Sequence, residues 1–227
     1  MTKLFAPQAI VFDMDGLLLD TERIALATFE EACRAHGVVV DRTLYERCIG
    51  TSTQGTRDIL GGALGYELYD RLSREWSTRY EAHVLTRAVD VKDGGVELLE
   101  LTRSLGVPVA LATSTATDLA RTKLRLAGLL GFFTAIVGGD AVANTKPHPE
   151  PYLKATGALG FAPNLCWAVE DSDNGVRAAH AAGLLVFQIP DLVQPAAEVR
   201  RIGHPVLGSL RDVARLLNEQ VMPRTVT

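Results

Sequence analysis

Short apolar runs recur along this chain of 227 residues, and each stops abruptly at polar residues, glycine or proline. The runs at 9–12, 107–112, 135–137, 166–169 and 185–189 have the length and β-branched or aromatic content of buried strands. Between the later runs lie stretches with helical spacing, at 118–127, 149–159, 175–182 and 209–219. Alternation of this kind predicts a parallel sheet with helices on both faces, because parallel neighbours need a crossover and the crossover helix covers the sheet.

One long segment breaks the alternation. From residue 21 to 91 the pattern is helical and contains no lysine. Helices are expected at 22–36, 42–48, 53–64 and 67–85, punctuated by Gly37, Gly50, Gly61, Gly62 and Gly65. The first strand and the later strands belong to one domain, which gives a core of residues 1–20 and 92–227 interrupted by a helical unit at 21–91. The tail after Gln220 is expected to be poorly ordered.

Composition narrows the function. A chain of this size buries a real core. Its formal net charge of -4 offers no basic stripe for nucleic acid or an anionic membrane surface. No apolar run reaches membrane-spanning length. Cys33, Cys48 and Cys166 are odd in number and far apart, without a CxxC pair, which reads as packing residues in a reducing cytoplasm.

The polar residues at the strand ends carry the chemistry. Phe12-Asp13-Met14-Asp15-Gly16 closes the first run, Thr113-Ser114-Thr115 follows the second, and Glu170-Asp171-Ser172 follows the fourth. Lys146 lies in Asn144-Thr145-Lys146-Pro147-His148-Pro149. In a parallel sheet these ends share one side, where open α/β folds bind ligands. Two carboxylates as close as Asp13 and Asp15 repel each other unless a cation or a proton intervenes, and a hard cation such as Mg2+ is the natural partner, because it prefers oxygen donors and accompanies phosphates. A lysine, a threonine and backbone N–H groups opposite them suit a phosphoryl group. Glu170-Asp171 also has a plainer reading as an N-terminal pair for the next helix.

Together, VFDMDGLLLDTE, VALATS, TKPHPEPY and VEDSDNGVRAAHAAG occur in an order that resembles the haloacid dehalogenase superfamily, in its branch of phosphatases and phosphomutases with a helical cap. The resemblance implies a Rossmann-like parallel core with a small helical cap inserted after the first motif. It implies that Asp13 is the nucleophile that forms an aspartyl-phosphate and that Asp15 is the general acid/base. It further implies that Thr113 and the Ser114 N–H hold the phosphoryl oxygens and that Lys146 stabilises their charge. Asp13, the Asp15 carbonyl and Asp171 would hold Mg2+, with Glu170 as a nearer or outer ligand.

Dehalogenases of this superfamily lack the second aspartate, so Asp15 argues against them. Phosphonate hydrolases use a cap lysine, and this segment has none. Two catalytic readings remain, a phosphomonoester phosphatase and a β-phosphoglucomutase-like enzyme. The mutases place an arginine and a histidine where this sequence has Thr53 and Ala25, which favours the phosphatase; Arg47 or Arg57 could substitute only if the loop is shifted. A non-catalytic metabolite-binding role is the alternative from another class. The loop Thr51-Ser52-Thr53-Gln54 is polar and uncharged, which matches a sugar or polyol phosphate. The expected partner is a small phosphorylated metabolite, with no nucleic acid and no membrane, and the protein is expected to be a cytoplasmic monomer or small homo-oligomer.

Overall fold

The computed structural model describes residues 4–39, 41–51 and 53–221. In chain order its elements are β1 (Ala9–Phe12), α1 (Thr21–Ala35), α2 (Arg42–Glu46), α3 (Thr53–Leu64), α4 (Tyr66–Val84), α5 (Gly95–Ser104), β2 (Val109–Ala112) and α6 (Thr117–Leu126). They continue with β3 (Phe133–Val137), α7 (Glu150–Leu159), β4 (Cys166–Glu170), α8 (Asp173–Ala181), β5 (Leu185–Gln188), α9 (Ala197–Arg200) and α10 (Leu210–Val221). The expected disorder beyond Gln220 falls, from residue 222 onward, outside the described residues.

The five strands form one parallel sheet in the order β3-β2-β1-β4-β5. β1 is central, with Phe12 opposite Leu111 on one side and Val169 on the other. After β1 the chain builds one flank, β2 and β3, then crosses back to build β4 and β5. That reversal opens a crevice beyond the carboxyl end of β1. The run at 107–112 joins the ladder only from Val109, because Pro108 has no N–H to give; its carbonyl still accepts from Ile10 N–H at 3.1 Å.

Alternation along the strands sorts side chains onto two faces. Phe12, Leu111, Trp167, Val169 and Phe187 point to one, where α5, α6 and α10 bury Leu98, Leu99, Leu124, Val213 and Leu217. Val11, Ala110, Ala112 and Ala168 point to the other. This second face is lined by small residues, so α7 and α8 come close and bury Tyr152, Ala155, Val176 and Ala179 against it. Two helices were not read from the sequence, α5 and α9. α5 starts at a Gly-Gly pair that reads as a turn, and Gly94 does turn there, with φ +82°.

Helices α1–α4 pack around their own apolar cluster, in which Phe29, Cys33, Tyr45, Leu60 and Leu72 are buried. An aromatic set holds it, with Phe29 and Trp76 rings at 5.0 Å and Phe29 and Tyr45 rings at 5.1 Å. Two adjacent crossings connect these helices to the sheet. Asp20 N–H donates to the Asp90 carbonyl at 2.9 Å, and Lys92 N–H to the Leu18 carbonyl at 2.9 Å. No helix among the described residues is long and apolar enough to cross a membrane. The three cysteines are unpaired and buried.

Candidate active site

The site is assembled by the ends of β1, β2 and β4. Asp13 continues the β1–β4 ladder, its N–H donating to the Val169 carbonyl at 3.0 Å, so the register that pairs the strands also sets this carboxylate. Three residues on, the chain turns at Gly16 with φ +82°. A methyl group there would overlap the Asp171 carboxylate, so only glycine brings the two acidic motifs together. Thr113 is placed likewise by its N–H, which donates to the Val137 carbonyl at 3.0 Å. Lys146 comes from the loop before α7. Glu150 stiffens that loop by accepting from the N–H groups of Ala143 and Asn144 at 2.8 and 2.9 Å.

Lys146 is buried, and its ammonium is shared between the carboxylates of Asp13 and Glu170. Glu170 is fully buried at the end of β4. One oxygen also accepts from the Tyr152 hydroxyl at 2.6 Å, and the other from Asp171 N–H and the Ser172 hydroxyl, both at 3.1 Å. α8 begins directly behind it, and a methyl at Gly175 would occupy the space of the Glu170 carboxylate. The Glu170 side chain thus serves as the anchor for Lys146 and for the β4–α8 turn.

Asp13, Glu170 and Asp171 each bring a carboxylate oxygen into a group whose members lie within 4.8 Å of one another, all buried. Burial pushes the Asp13 carboxyl up to about 8, against the pull of Lys146 and with help from Glu170 and Asp15. Asp171 is raised well above the usual range by burial and by Asp13 and Glu170. A buried, oxygen-only donor set under such repulsion fits a hard divalent cation such as Mg2+.

Asp15 faces another way. Its carboxylate takes Lys123 at 2.6 Å and the Thr115 hydroxyl at 2.7 Å, with the Thr113 hydroxyl at 3.5 Å. Burial would raise Asp15, but Lys123 outweighs it and holds the carboxyl below its ordinary range. Lys123 in turn donates to the hydroxyl of Tyr80, on α4. This lysine was missed from the sequence, as were Tyr152 and Glu22, and Thr115 was named there without a partner. A signal existed for Lys123, since it occupies the same helix face as Ala120 and Leu124, where an apolar residue belongs. Its amine is kept charged by Asp15 and Tyr80 despite burial, which denies it the neutral form that a Schiff base needs.

A cavity of about 420 Å³ opens over these groups. Asp13, Asp15, Thr113, Ser114, Lys146 and Asp171 line it from the sheet, and Thr51 and Thr53 line it from the helical insert. Glu170 stands behind the lining. Of the expected specificity loop, Gln54 turns away and donates to Asp58 at 2.8 Å, and Ser52 lies outside the described residues. Gly50 sits on the core, its carbonyl accepting from the Asn174 amide at 2.9 Å. His83 is half-buried and does not line the cavity.

Residues 10–189 match the family model described as haloacid dehalogenase-like hydrolase. The chain belongs to the haloacid dehalogenase-like hydrolases. Its similarity to the phosphorylated carbohydrates phosphatase of Thermotoga maritima is 34% identity over 179 residues, covering 78% of this chain and 82% of that protein. With the protein CbbY of Rhodobacter capsulatus it shares 32% over 195 residues, covering 81% and 85%. The crystal structure of a mutant CbbY from Rhodobacter sphaeroides, in complex with xylulose 1,5-bisphosphate, superposes with a TM-score of 0.72. Identity there is 28%, covering 90% of this chain and 95% of that one. The family match together with its phosphatase-named relatives places this haloacid dehalogenase-like chain in the phosphatase branch.

Proposed function

We propose that the protein is a Mg2+-dependent phosphatase that hydrolyses a small phosphomonoester, a sugar or polyol phosphate, through an aspartyl-phosphate on Asp13. The observation that carries this reading is that the two aspartates have different partners. Asp13 is held against Lys146 within the carboxylate group, while Asp15, two residues on, is held apart by Lys123 and Thr115. One acid is placed to attack and the other to handle protons.

Asp13 attacks phosphorus, and the bond to the leaving alcohol breaks. Thr113, Ser114 and Lys146 line the cavity where the phosphoryl oxygens would lie and offset their charge. Asp15 gives a proton to the departing alkoxide, then removes one from the water that attacks the aspartyl-phosphate and regenerates Asp13. Asp15 becomes an acid when the anionic phosphoryl group arrives beside it, since a neighbouring negative charge raises a carboxyl's pKa. Asp13 and Asp171, with the Asp15 carbonyl and with Glu170 behind, would hold Mg2+, which neutralises the phosphate and lets a carboxylate approach it.

Helices α1–α4 act as a cap that closes over the sheet, with hinges at residues 20–21 and 91–94. A mutase would hold a second phosphate with a cap cation. Thr53 and Ala25 line the cavity, while Arg57 is committed to Asp70 and Arg47 lies exposed outside the lining. The reading includes a cytoplasmic location, in keeping with three free thiols.

The test is phosphate release from a panel of phosphomonoesters, with Mg2+ and with chelator, by the native chain and by Asp13→Asn. Release that needs both Mg2+ and Asp13 supports the phosphatase. Conversion of glucose 1-phosphate to glucose 6-phosphate with little release would make it a mutase, and neither activity would leave a binding role.

A further inference from the structure

Resting on the phosphatase reading, we infer that the leaving group is an electrically neutral, hydroxylated ring alcohol, and that Glu22 makes the pocket reject a second anionic group. Among the described lining residues Lys146 is the sole lysine or arginine, and its charge is taken by Asp13 and Glu170. Lys123, just behind the lining, is taken by Asp15 and Tyr80. No arginine of the cap is among the described lining residues, and two on its long helices are paired within the cap, Arg57 with Asp70 and Arg79 with Glu75 and Glu31. A second phosphate or a carboxylate entering beyond the reacting phosphoryl group would therefore meet no unpaired lysine or arginine among the described lining residues.

What it would meet is Glu22. This residue stands in the first turn of α1 and lines the cavity, and its carboxylate makes no hydrogen bond or ion pair with another described residue. An unpaired carboxylate repels an anion and accepts hydrogen bonds from hydroxyls, so it sorts substrates by charge and rewards a polyol. Hydroxyls from Thr53, Thr56, Ser73 and Ser77 line the same space.

The ring follows from the aromatic wall. Tyr45 and Trp76 line the cavity, and Trp76 is fixed by its neighbours, 6.0 Å from the Tyr45 ring, with its indole N–H donated to the Ala25 carbonyl at 3.0 Å. Its polar edge is used inside the cap, which leaves apolar ring surface for the ligand. Sugar rings and nucleosides both offer an apolar face and outward hydroxyls, and both fit this chemistry.

The experiment measures kcat/KM on pairs that differ by one anionic group, glucose 1-phosphate against glucuronic acid 1-phosphate and fructose 6-phosphate against fructose 1,6-bisphosphate. Burial and the neighbouring Asp15 push the Glu22 carboxyl up to about 7, so the assays are run on the alkaline side of that value. Ribose 5-phosphate, uridine 5′-monophosphate and glycerol 3-phosphate test the ring and separate sugar from nucleoside. The native chain should favour the neutral member of each pair by roughly tenfold or more, as a like charge a few ångströms away implies. Glu22→Gln should narrow that ratio, and Ala25→Lys should narrow or invert it. Each ratio is taken within one enzyme, so lost folding cancels. Ribose 5-phosphate or uridine 5′-monophosphate should exceed glycerol 3-phosphate.

Asp13-dependent hydrolysis of p-nitrophenyl phosphate with equal or better turnover of the anionic members would overturn the charge rule and leave the phosphatase standing. A ratio unmoved by Glu22→Gln would overturn the role of Glu22. Glycerol 3-phosphate as the best substrate would overturn the ring. No Asp13-dependent hydrolysis of p-nitrophenyl phosphate or of any panel member would overturn the phosphatase reading, and this inference with it.

Discussion

The ammonium of Lys123 lies 2.6 Å from Oδ1 of Asp15 and 3.0 Å from the hydroxyl of Tyr80. One buried charge from α6 thus joins the second aspartate of the β1 turn to a helix of the insert. The side chain of Lys123 is 1% exposed and that of Asp15 is 21% exposed, so the pair is shielded on one side and open to the cavity on the other.

Removing Lys123 leaves a partly buried carboxylate without its counter-ion. Lys123→Met is expected to lower stability by about 3 kcal/mol at pH 7, or roughly 6–12 °C in Tm. The pH dependence has a definite sign. Asp15 is depressed below its ordinary 3.8, so the pair stabilises above that pH and its contribution is lost as pH falls through the lower native value. Thermal melts of both proteins should therefore draw together as the pH is taken below 3.8. Equal Tm values at pH 7 would show that the pair contributes nothing.

Asp13 behaves in the opposite sense. Its carboxyl is raised to about 8, so in chelator the unfolded chain ionises from 3.8 upward while the native chain resists. Native stability should fall as pH rises between those values. Mg2+ at a hundredfold excess over its dissociation constant should add about 2.7 kcal/mol, roughly 5–10 °C. The gain should be larger at pH 8 than at pH 5, where protons compete for the same carboxylates. Melts in Mg2+ and in chelator at the two pH values check this, and an equal gain at both would sink it.

Tyr152→Phe takes away the 2.6 Å hydrogen bond to fully buried Glu170. An unsatisfied buried acceptor costs about 1–3 kcal/mol. Lys146 and the Asp171 N–H remain on Glu170, so the loss should register in a urea midpoint, with kcat reduced by less than about tenfold. A larger fall in kcat with no loss of stability would mean that Tyr152 acts on the reaction itself.

Gly175 and Gly157 make a matched pair. A methyl at Gly175 overlaps the Glu170 carboxylate, whereas at Gly157, in α7, it meets nothing within 4 Å. Gly175→Ala is expected to cost about 1–3 kcal/mol and to lower kcat by about a hundredfold through displacement of Glu170 and Lys146. Gly157→Ala should be neutral or stabilising by about 0.5–1 kcal/mol. Denaturant unfolding and phosphate release on both variants decide it.

The strands and most helices were legible because each carries its own period. The run before Asp13 reads as a strand, and Thr53–Leu64 reads as a helix with the bounds it has. α5 was hidden behind its two glycines, because a Gly-Gly pair reads as a turn whether or not a helix follows. Asp13, Thr113 and Asp171, which line the cavity, were legible because they follow strand ends, whereas Lys146 reaches them from the loop before α7. Lys123, Tyr80 and Glu22 were not legible, because they meet Asp15 or the cavity from helices whose angle of approach no local pattern records.

By itself the sequence determined the class of fold, the placement of the acids and the threonine at strand ends, and the family; Lys146, read there too, sits instead in the loop before α7. Those follow from side-chain period and from residues adjacent in the chain. The tertiary structure alone decided which cation neutralises which carboxylate. Lys146 went to Asp13 and Glu170, and Lys123 to Asp15. It also decided that no lysine or arginine was left over among the described lining residues to hold a second anion. The physical reason is that Coulomb energy depends on distance and burial between groups that are separated in the chain, and only packing sets either one.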